Sequence, residues 1–202
     1  VFFFFKDRGW EWLPGNRISK FILTNPIEIN EDLHSTLKEK HINTDILFNI
    51  IENGNVIFSE SKTEERVKNY KIELDSLNLR TLVSFYDSST TIIDFNNINN
   101  TKSNNITSTL SIYPSDSLFF TKILKKEIKT TDLFLCQASQ NKLNIDNIKS
   151  YLGKSKLLRD LSEPYKKPNP VFYSTIIYNE KKLLIHMEEG NKKLRLKAIS
   201  FI

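Results

Sequence analysis

The spacing of apolar residues alternates between helix-like and strand-like periods along the first half of the chain. Apolar residues three or four apart predict short helices over 16–23, 31–40 and 45–53. Alternating apolar and polar residues predict strands at 27–29, 56–58, 69–74, 80–86 and 90–95. Because the last three strands are joined closely, at 75–79 and 87–89, we expect them to form an antiparallel meander.

The clearest helix signal is the segment INTDILFNIIENG, residues 42–54. Asn43 or Thr44 can cap this helix, since a side-chain oxygen there accepts a bond from a free backbone N–H. Asp45 then places negative charge at the positive end of the helix dipole. Gly54 is predicted to end the helix in the left-handed conformation that glycine adopts readily.

The second half of the chain repeats this layout. The segment LNIDNIKSYLGKSKLL (143–158) matches INTDILFNIIENGNVIF (42–58) in its polar cap, its Asp, its apolar stripe and a late Gly. A basic, polar segment follows each of them, and further strands are then predicted at 172–178, 183–187 and 194–199. We therefore predict an α+β protein, with short helices packed on antiparallel sheets and an internal duplication. Two unrelated α+β halves are the alternative.

The polar segment NNINNTKSNN has no apolar periodicity and predicts a linker between the halves. The expected organisation has four parts: residues 1–15 as the remnant of a membrane anchor or an N-terminal strand, 16–95 as the first α+β unit, 96–109 as an Asn-rich linker, and 110–202 as the second α+β unit.

The opening stretch VFFFFKDRGWEW combines an apolar run, charges and two tryptophans. A run of five apolar residues is too short to cross a bilayer, which needs about 20. The sequence is typical of the end of a membrane helix, where charges stop the span and tryptophan lies at the interface. The predicted membrane-interface residues are Phe2, Phe3, Phe4, Phe5, Trp10 and Trp12. A buried N-terminal strand is the alternative, and the side of the membrane is left open.

Composition excludes several classes of site. The net charge is +5, but 29 Lys and Arg stand among 24 Asp and Glu along the chain, so no nucleic acid is expected as a partner. The single cysteine, Cys136, excludes an internal disulfide and a Cys-based zinc site, and its apolar neighbours predict a buried, inert thiol. No phosphate-loop, dinucleotide or nucleophile-elbow motif occurs, so the sequence predicts no cofactor and no metal. Glu188 is predicted to lie in a solvated turn before Gly190.

The helix-end pattern in NTDILFNIIENG, with the following NVIFSES and the strands YKIEL, LRTLVSFYDSSTTIIDF, resembles small bacterial α+β domains related to BrnT-type toxins. The resemblance covers about residues 33–95 and implies helices packed on an antiparallel sheet. BrnT-type toxins are ribonucleases, so the resemblance implies metal-independent RNA cleavage as the enzymatic alternative. The candidate residues for that activity are His34, His41, Lys62, Arg66 and Arg80.

The sequence favours a non-enzymatic bacterial module, tethered to a membrane through its N-terminus, that contacts another protein through strand edges and aromatic side chains. The first alternative is the BrnT-like ribonuclease, which requires His34 or His41 to meet Lys62 or Arg80 in a cleft. The second is a soluble α+β domain whose opening phenylalanines belong to the core.

Overall fold

The computed structural model describes residues 13–98 and 108–201. The predicted membrane-interface residues Phe2, Phe3, Phe4, Phe5, Trp10 and Trp12 lie outside the described residues. The chain forms two compact units, Val1–Pro114 and Ser115–Ile202, called the first and the second unit below. Both contain helices and β-sheets in an α+β arrangement, as the sequence predicts.

The first unit contains three helices and six strands among the described residues. The helices are α1 (Pro14–Leu23), α2 (Glu31–Glu39) and α3 (Asp45–Asn53). The strands are β1 (Ile27–Asn30), β2 (Asn55–Val56), β3 (Lys68–Leu74), β4 (Leu77–Ser84), β5 (Ser89–Phe95) and β6 (Thr109–Ser111). The sheet has the order β2-β3-β4-β5-β1-β6, so the predicted meander β3-β4-β5 is present and antiparallel. Strand β1 joins it in parallel to β5, and β6 then covers the outer edge of β1.

Helix α3 begins and ends where the sequence predicts, but its two ends form differently. Asn43 Oδ1 accepts a hydrogen bond from the Asp45 N–H at 2.9 Å, whereas the Thr44 side chain makes no capping bond. Gly54 has φ −81°, so the predicted left-handed conformation is wrong. Glycine is required there for space: a Cβ would lie 2.5 Å from the carbonyl oxygen of Ile50 and 2.8 Å from that of Glu73. Gly54 therefore allows the end of α3 to approach β3 closely.

Two further predicted boundaries in this unit are wrong. The predicted strand 56–58 stops at Val56, and a 3₁₀ turn (Phe58–Glu60) follows it. The predicted turn 75–79 is only two residues long, Asp75 and Ser76, because β4 begins at Leu77. Asp75 adopts a positive φ of 53°, which an aspartate tolerates, so the hairpin can close within two residues.

The second unit contains three helices and five strands among the described residues. The helices are α4 (Asp116–Ile123), α5 (Asp132–Gln140) and α6 (Ile148–Gly153). The strands are β7 (Glu127–Thr130), β8 (Lys156–Leu157), β9 (Val171–Tyr178), β10 (Lys181–Glu189) and β11 (Lys193–Phe201). A 3₁₀ turn (Ile145–Asn147) precedes α6, and another (Arg159–Leu161) follows β8. Strands β9 to β11 extend the three strands predicted from alternation, and β7 is parallel to β11.

One hydrophobic core fills the space between the helices and the sheet of the second unit. Its largest fully buried side chains are Phe120 and Phe134, and Met187, Leu194 and Leu196 supply its floor from β10 and β11. These floor residues alternate with polar residues, so every second side chain of β10 and β11 points away from the core. The outer face of the sheet is therefore free to carry polar chemistry.

The two units have the same order of elements: helix, strand, two helices, then a short strand, a 3₁₀ turn and three antiparallel strands. The sheets correspond as β2-β3-β4-β5-β1 and β8-β9-β10-β11-β7, with β6 as an addition in the first unit. A bulge lies opposite the Arg80–Thr81 step of β4 and opposite the His186–Met187 step of β10, which is the same place in each sheet; the extra residues are Ile93 of β5 and Lys197 of β11. Because β6 pairs with β1, the boundary between the units lies a few residues after the linker predicted at 96–109.

Candidate functional site

The outer face of the second sheet carries a groove, called the β9–β11 groove below, between its strands and the loop 163–170. The groove has a volume of about 380 Å³. Tyr173 of β9 and His186 of β10 form its floor, because the residues on either side of each of them have buried side chains. Glu188 of β10 lies beside them. The site therefore follows from the period of two along the strands.

Tyr173 and His186 are directly opposite each other on neighbouring antiparallel strands. Their rings stack with centroids 4.8 Å apart and planes at 15°. Burial lowers the pKa of His186, and the nearby ammonium of Lys197 lowers it further, while Glu188 acts in the opposite direction. The imidazole is therefore held in its neutral form, and it presents a flat surface together with the phenol ring.

Glu188 is the centre of a network of charged groups beside this stack. Its carboxylate accepts a hydrogen bond from Arg195 at 2.9 Å and one from the Asn169 amide at 2.9 Å, and Lys197 lies 3.5 Å away. These donors lower the pKa of Glu188 although burial acts in the opposite direction. The side chain is half-buried in β10, so the predicted solvated turn is wrong: the strand continues through Glu189 before it turns.

The loop at the rim of the groove is fixed at both ends. The Glu163 and Val171 backbones exchange two hydrogen bonds, of 2.8 and 3.1 Å. The Ser162 hydroxyl donates to the Leu158 carbonyl at 2.7 Å and accepts from the Tyr173 N–H at 3.1 Å. Three prolines, Pro164, Pro168 and Pro170, further limit the conformations open to the loop. The groove is thus held in shape without a ligand.

The first unit has the same backbone arrangement with different side chains. Lys71 and Arg80 take the positions of Tyr173 and His186, opposite each other on β3 and β4. The Ser61 hydroxyl bonds to the Ile57 carbonyl and the Lys71 N–H, as Ser162 does in the second unit. Lys71 forms ion pairs with Glu60 at 2.9 Å and Glu73 at 2.5 Å, and these pairs raise its pKa. The first unit therefore has ion pairs where the second has stacked rings.

The structure places two of the five predicted nuclease residues, His34 and Arg80, on opposite sides of the first sheet. Arg80 lies between the buried Leu79 and Thr81, so its side chain is on the face away from the core, where it approaches the Glu60 carbonyl at 3.4 Å. His34 lies on α2, whose Leu33 and Leu37 are buried in the core. The sheet therefore separates His34 from Arg80.

The remaining three candidates are exposed. His41 follows the end of α2 and has a positive φ of 55°, so it does not share a helix face with His34. Lys62 forms a β-bridge with Asn69 through its backbone. Arg66 stacks its guanidinium 4.5 Å from the centre of the Tyr86 ring.

Cys136 is exposed, so the prediction of a buried thiol is wrong. Phe134 and Ala138 form the buried face of α5, and Cys136 lies two residues from each of them, on the other side of the helix.

In the part of the chain that the structure describes, no group of three His, Cys, Asp or Glu side chains could hold a metal ion. Within residues 13–98 and 108–201, none of the helices has the length and apolar character needed to cross a membrane.

Comparison with known proteins gives no relative: no family model, no curated protein and no solved structure matches this chain.

The sequence pattern alone does not single out the residues of the β9–β11 groove. Their signal is the alternation in YSTIIY and LLIHMEE, which places Tyr173, His186 and Glu188 opposite the apolar positions of the strands. Their meeting depends on the register of β9 and β10 and on the bulge opposite the His186–Met187 step, which a single sequence does not specify.

Proposed function

We propose that this chain is a non-enzymatic binding module that contacts another protein and is tethered to a membrane through its N-terminal segment. The observation that supports the binding role is the β9–β11 groove, in which the stacked Tyr173 and His186 offer a flat, partly exposed surface. The support for a tether is the sequence of residues 1–12, an apolar run followed by charges and tryptophan.

The charges around the groove indicate the chemistry of the partner. Four cationic side chains surround it: Lys166, Lys167, Arg195 and Lys197. The two carboxylates among them, Glu163 and Glu188, are already engaged, with Lys166 and with the Arg195–Lys197 pair. The groove thus has an excess of positive charge around an aromatic floor. A protein segment with acidic side chains next to an apolar or aromatic one fits this arrangement.

The experiment uses the full-length protein, tagged in its native cell. Membranes are washed with carbonate, extracted with detergent, and the tagged protein is purified together with bound proteins. The wild type is compared with the groove variant Tyr173→Ala/His186→Ala. Its matched control is Lys71→Ala/Arg80→Ala, which changes the equivalent positions of the first unit.

The proposal predicts that the protein remains in the membrane until detergent is added and that one co-purified protein is lost from the groove variant only. Circular dichroism of both variants controls for folding. A protein found in the soluble fraction would contradict the tether. A partner retained equally by the groove variant would contradict the assignment of the groove. RNA cleavage by the wild type, lost in His34→Ala or Arg80→Ala, would support the ribonuclease alternative instead.

A further inference from the structure

We propose that two copies of this chain associate through the open edge of β7, pairing the two β7 strands antiparallel about a two-fold axis. This goes beyond the proposed function, because the edge of β7 is separate from the β9–β11 groove. Strand β7 lies at the end of the second sheet, and within the described residues only β11 pairs with it. Its second edge is therefore available for another strand.

The first unit shows how such an edge accepts a strand. There β6 pairs antiparallel with β1, the strand equivalent to β7. The Ile112 N–H donates to the Ile27 carbonyl at 3.0 Å, and the Glu31 N–H donates to the Ser108 carbonyl at 3.3 Å. Ile128 of β7 occupies the position that Ile27 has in β1. The N–H and carbonyl of Ile128 therefore point toward the open edge of β7, as those of Ile27 point toward β6.

The backbone of β7 has the hydrogen-bonding pattern that this pairing needs. The Glu127 N–H donates to the Lys192 carbonyl and the Thr131 N–H donates to the Leu196 carbonyl, so these residues face β11. Backbone groups of alternate residues in a strand point to opposite edges, so those of Ile128 and Thr130 point to the open edge. An antiparallel strand centred on Ile128 would bond to the N–H and carbonyl of Ile128. The Thr130 N–H would face the Lys126 carbonyl of the other copy, whose own N–H already donates to the Ile123 carbonyl at 3.2 Å.

The side chains of β7 are complementary to a second copy of β7. In the sequence Glu-Ile-Lys-Thr, residues 127–130, a charge of each sign flanks Ile128. When two such strands pair antiparallel with Ile128 opposite Ile128, each Glu127 lies opposite the Lys129 of the other copy. Both side chains are about half exposed, at 51% and 53%, and they are within reach of a new partner. Opposite charges directly across a strand pair are stabilising.

The start of α5, which follows β7 closely in the sequence, exposes two apolar side chains on either flank of its buried face. Leu133 and Leu135 are 56% and 39% exposed, within five residues of the end of β7. At the equivalent positions of the first unit, where β6 covers the edge, the side chains are Asp32 and His34. Burial of either leucine in a contact between two copies would add to the stability of the pair.

The test measures the mass of the full-length protein by light scattering or sedimentation over a range of concentrations, in detergent and with a reducing agent because Cys136 is exposed. The wild type is expected to shift from monomer to dimer as its concentration rises. The single variants Glu127→Lys and Lys129→Glu each place like charges opposite one another in both symmetric pairs. We expect each to weaken dimerisation about tenfold or more.

Mixing the two variants distinguishes the proposed interface from damage to the fold. A Glu127→Lys chain and a Lys129→Glu chain are complementary across β7, so a mixture is expected to form a heterodimer that neither variant forms alone. Loss of folding or of the internal Glu127–Lys129 pair would not be repaired by mixing. A wild type that is monomeric at every concentration, a dimer unaffected by charge reversal, or a mixture that stays monomeric would each overturn the proposal.

The result of the dimerisation experiment can be distinguished from the result of the co-purification experiment that tests the proposed function. The variants of β7 leave Tyr173 and His186 unchanged, so loss of the dimer with retention of the co-purified partner would locate the two activities on different surfaces. Failure of dimerisation leaves the groove proposal intact, and failure of the groove variant to lose a partner leaves the dimer intact.

Discussion

The first and second units bury equivalent positions of their second helix with different side chains. Leu33 and Leu37 face the core in the first unit, while Phe134 and Ala138 do so in the second, and all four are fully buried. A larger residue at one position accompanies a smaller one at the other. The two units therefore fill the space beneath this helix with different combinations of side chains, and neither residue identity is required by the shared architecture.

The surfaces of the two units differ in kind. In the first unit, β6 covers the sheet edge and Lys71 is held by two carboxylates on the outer face. In the second, the edge of β7 is open within the described residues, and Tyr173 and His186 stack on the outer face. A common fold with divergent surfaces places the candidate binding chemistry in the second unit, and the same topology supports the proposal that the halves arose by duplication.

The largest expected effect comes from opening a cavity beneath the second helix of the first unit. Leu37→Ala is expected to lower the free energy of unfolding by about 3 kcal/mol, because it leaves a cavity in a fully packed core. Adding Leu33→Phe reproduces the pair found in the second unit and is expected to recover part of that loss. Urea unfolding followed by circular dichroism measures both variants. A double variant no more stable than Leu37→Ala would show that a larger residue at position 33 does not compensate for a smaller one at position 37.

A smaller effect is expected where α3 approaches β3. Gly54→Ala is expected to cost about 2 kcal/mol, because the added Cβ meets two backbone oxygens that cannot move independently. The equivalent residue of the second unit is Ser155, which already carries a side chain and donates to the Leu152 carbonyl at 2.7 Å. The control for Gly54→Ala is Ser155→Ala. It removes one hydrogen bond and is expected to lower the free energy of unfolding by about 1 kcal/mol. Equal stability of Gly54→Ala and wild type would show that the close approach is not required.

The smallest expected effect is on the pH dependence of the free energy of unfolding, and it concerns His186 on the outer face of the second sheet. The folded protein lowers the pKa of His186 from its ordinary value of 6.5, through burial and the nearby Lys197 and Lys166, against Glu188. The unfolded chain therefore binds more protons in this range, and the contribution of His186 to stability is lost as pH falls below 6.5.

His186→Phe keeps a ring against Tyr173 but cannot titrate. We expect it to reduce the dependence of the free energy of unfolding on pH between about 7 and about 5. An unchanged dependence in His186→Phe would show that this imidazole does not titrate as its surroundings indicate.

The helices and strands of this protein can be predicted from local sequence more fully than the residues of the β9–β11 groove. The helix over 45–53 and the meander of β3, β4 and β5 are visible as periods of apolar residues, and local packing then fixes their ends. The parallel partner of β5 and the covering strand β6 depend on contacts between distant parts of the chain. The stacking of Tyr173 on His186 depends on such contacts too, because the two residues lie opposite each other only in the observed register of β9 and β10.

The differences at Gly54 and Cys136 have a common physical reason. The sequence pattern favours a role for the backbone freedom of Gly54, but the structure uses its small size. The apolar neighbours of Cys136 favour a place in the core, but only Phe134 and Ala138 of that helix are buried. Both depend on tertiary packing. The role of Gly54 depends on how closely two backbone carbonyls approach it, and the exposure of Cys136 depends on which side of α5 faces the core.

Site-specific photo-cross-linking in native membranes tests the central claim most directly, since it compares the two outer faces in one experiment. A photoreactive phenylalanine derivative replaces Tyr173 in one strain and Lys71, the equivalent residue of the first unit, in another. The account predicts a cross-link to another protein from position 173 and none to that protein from position 71. No cross-linked protein from position 173, or the same one from both positions, would contradict the assignment of binding to the second unit.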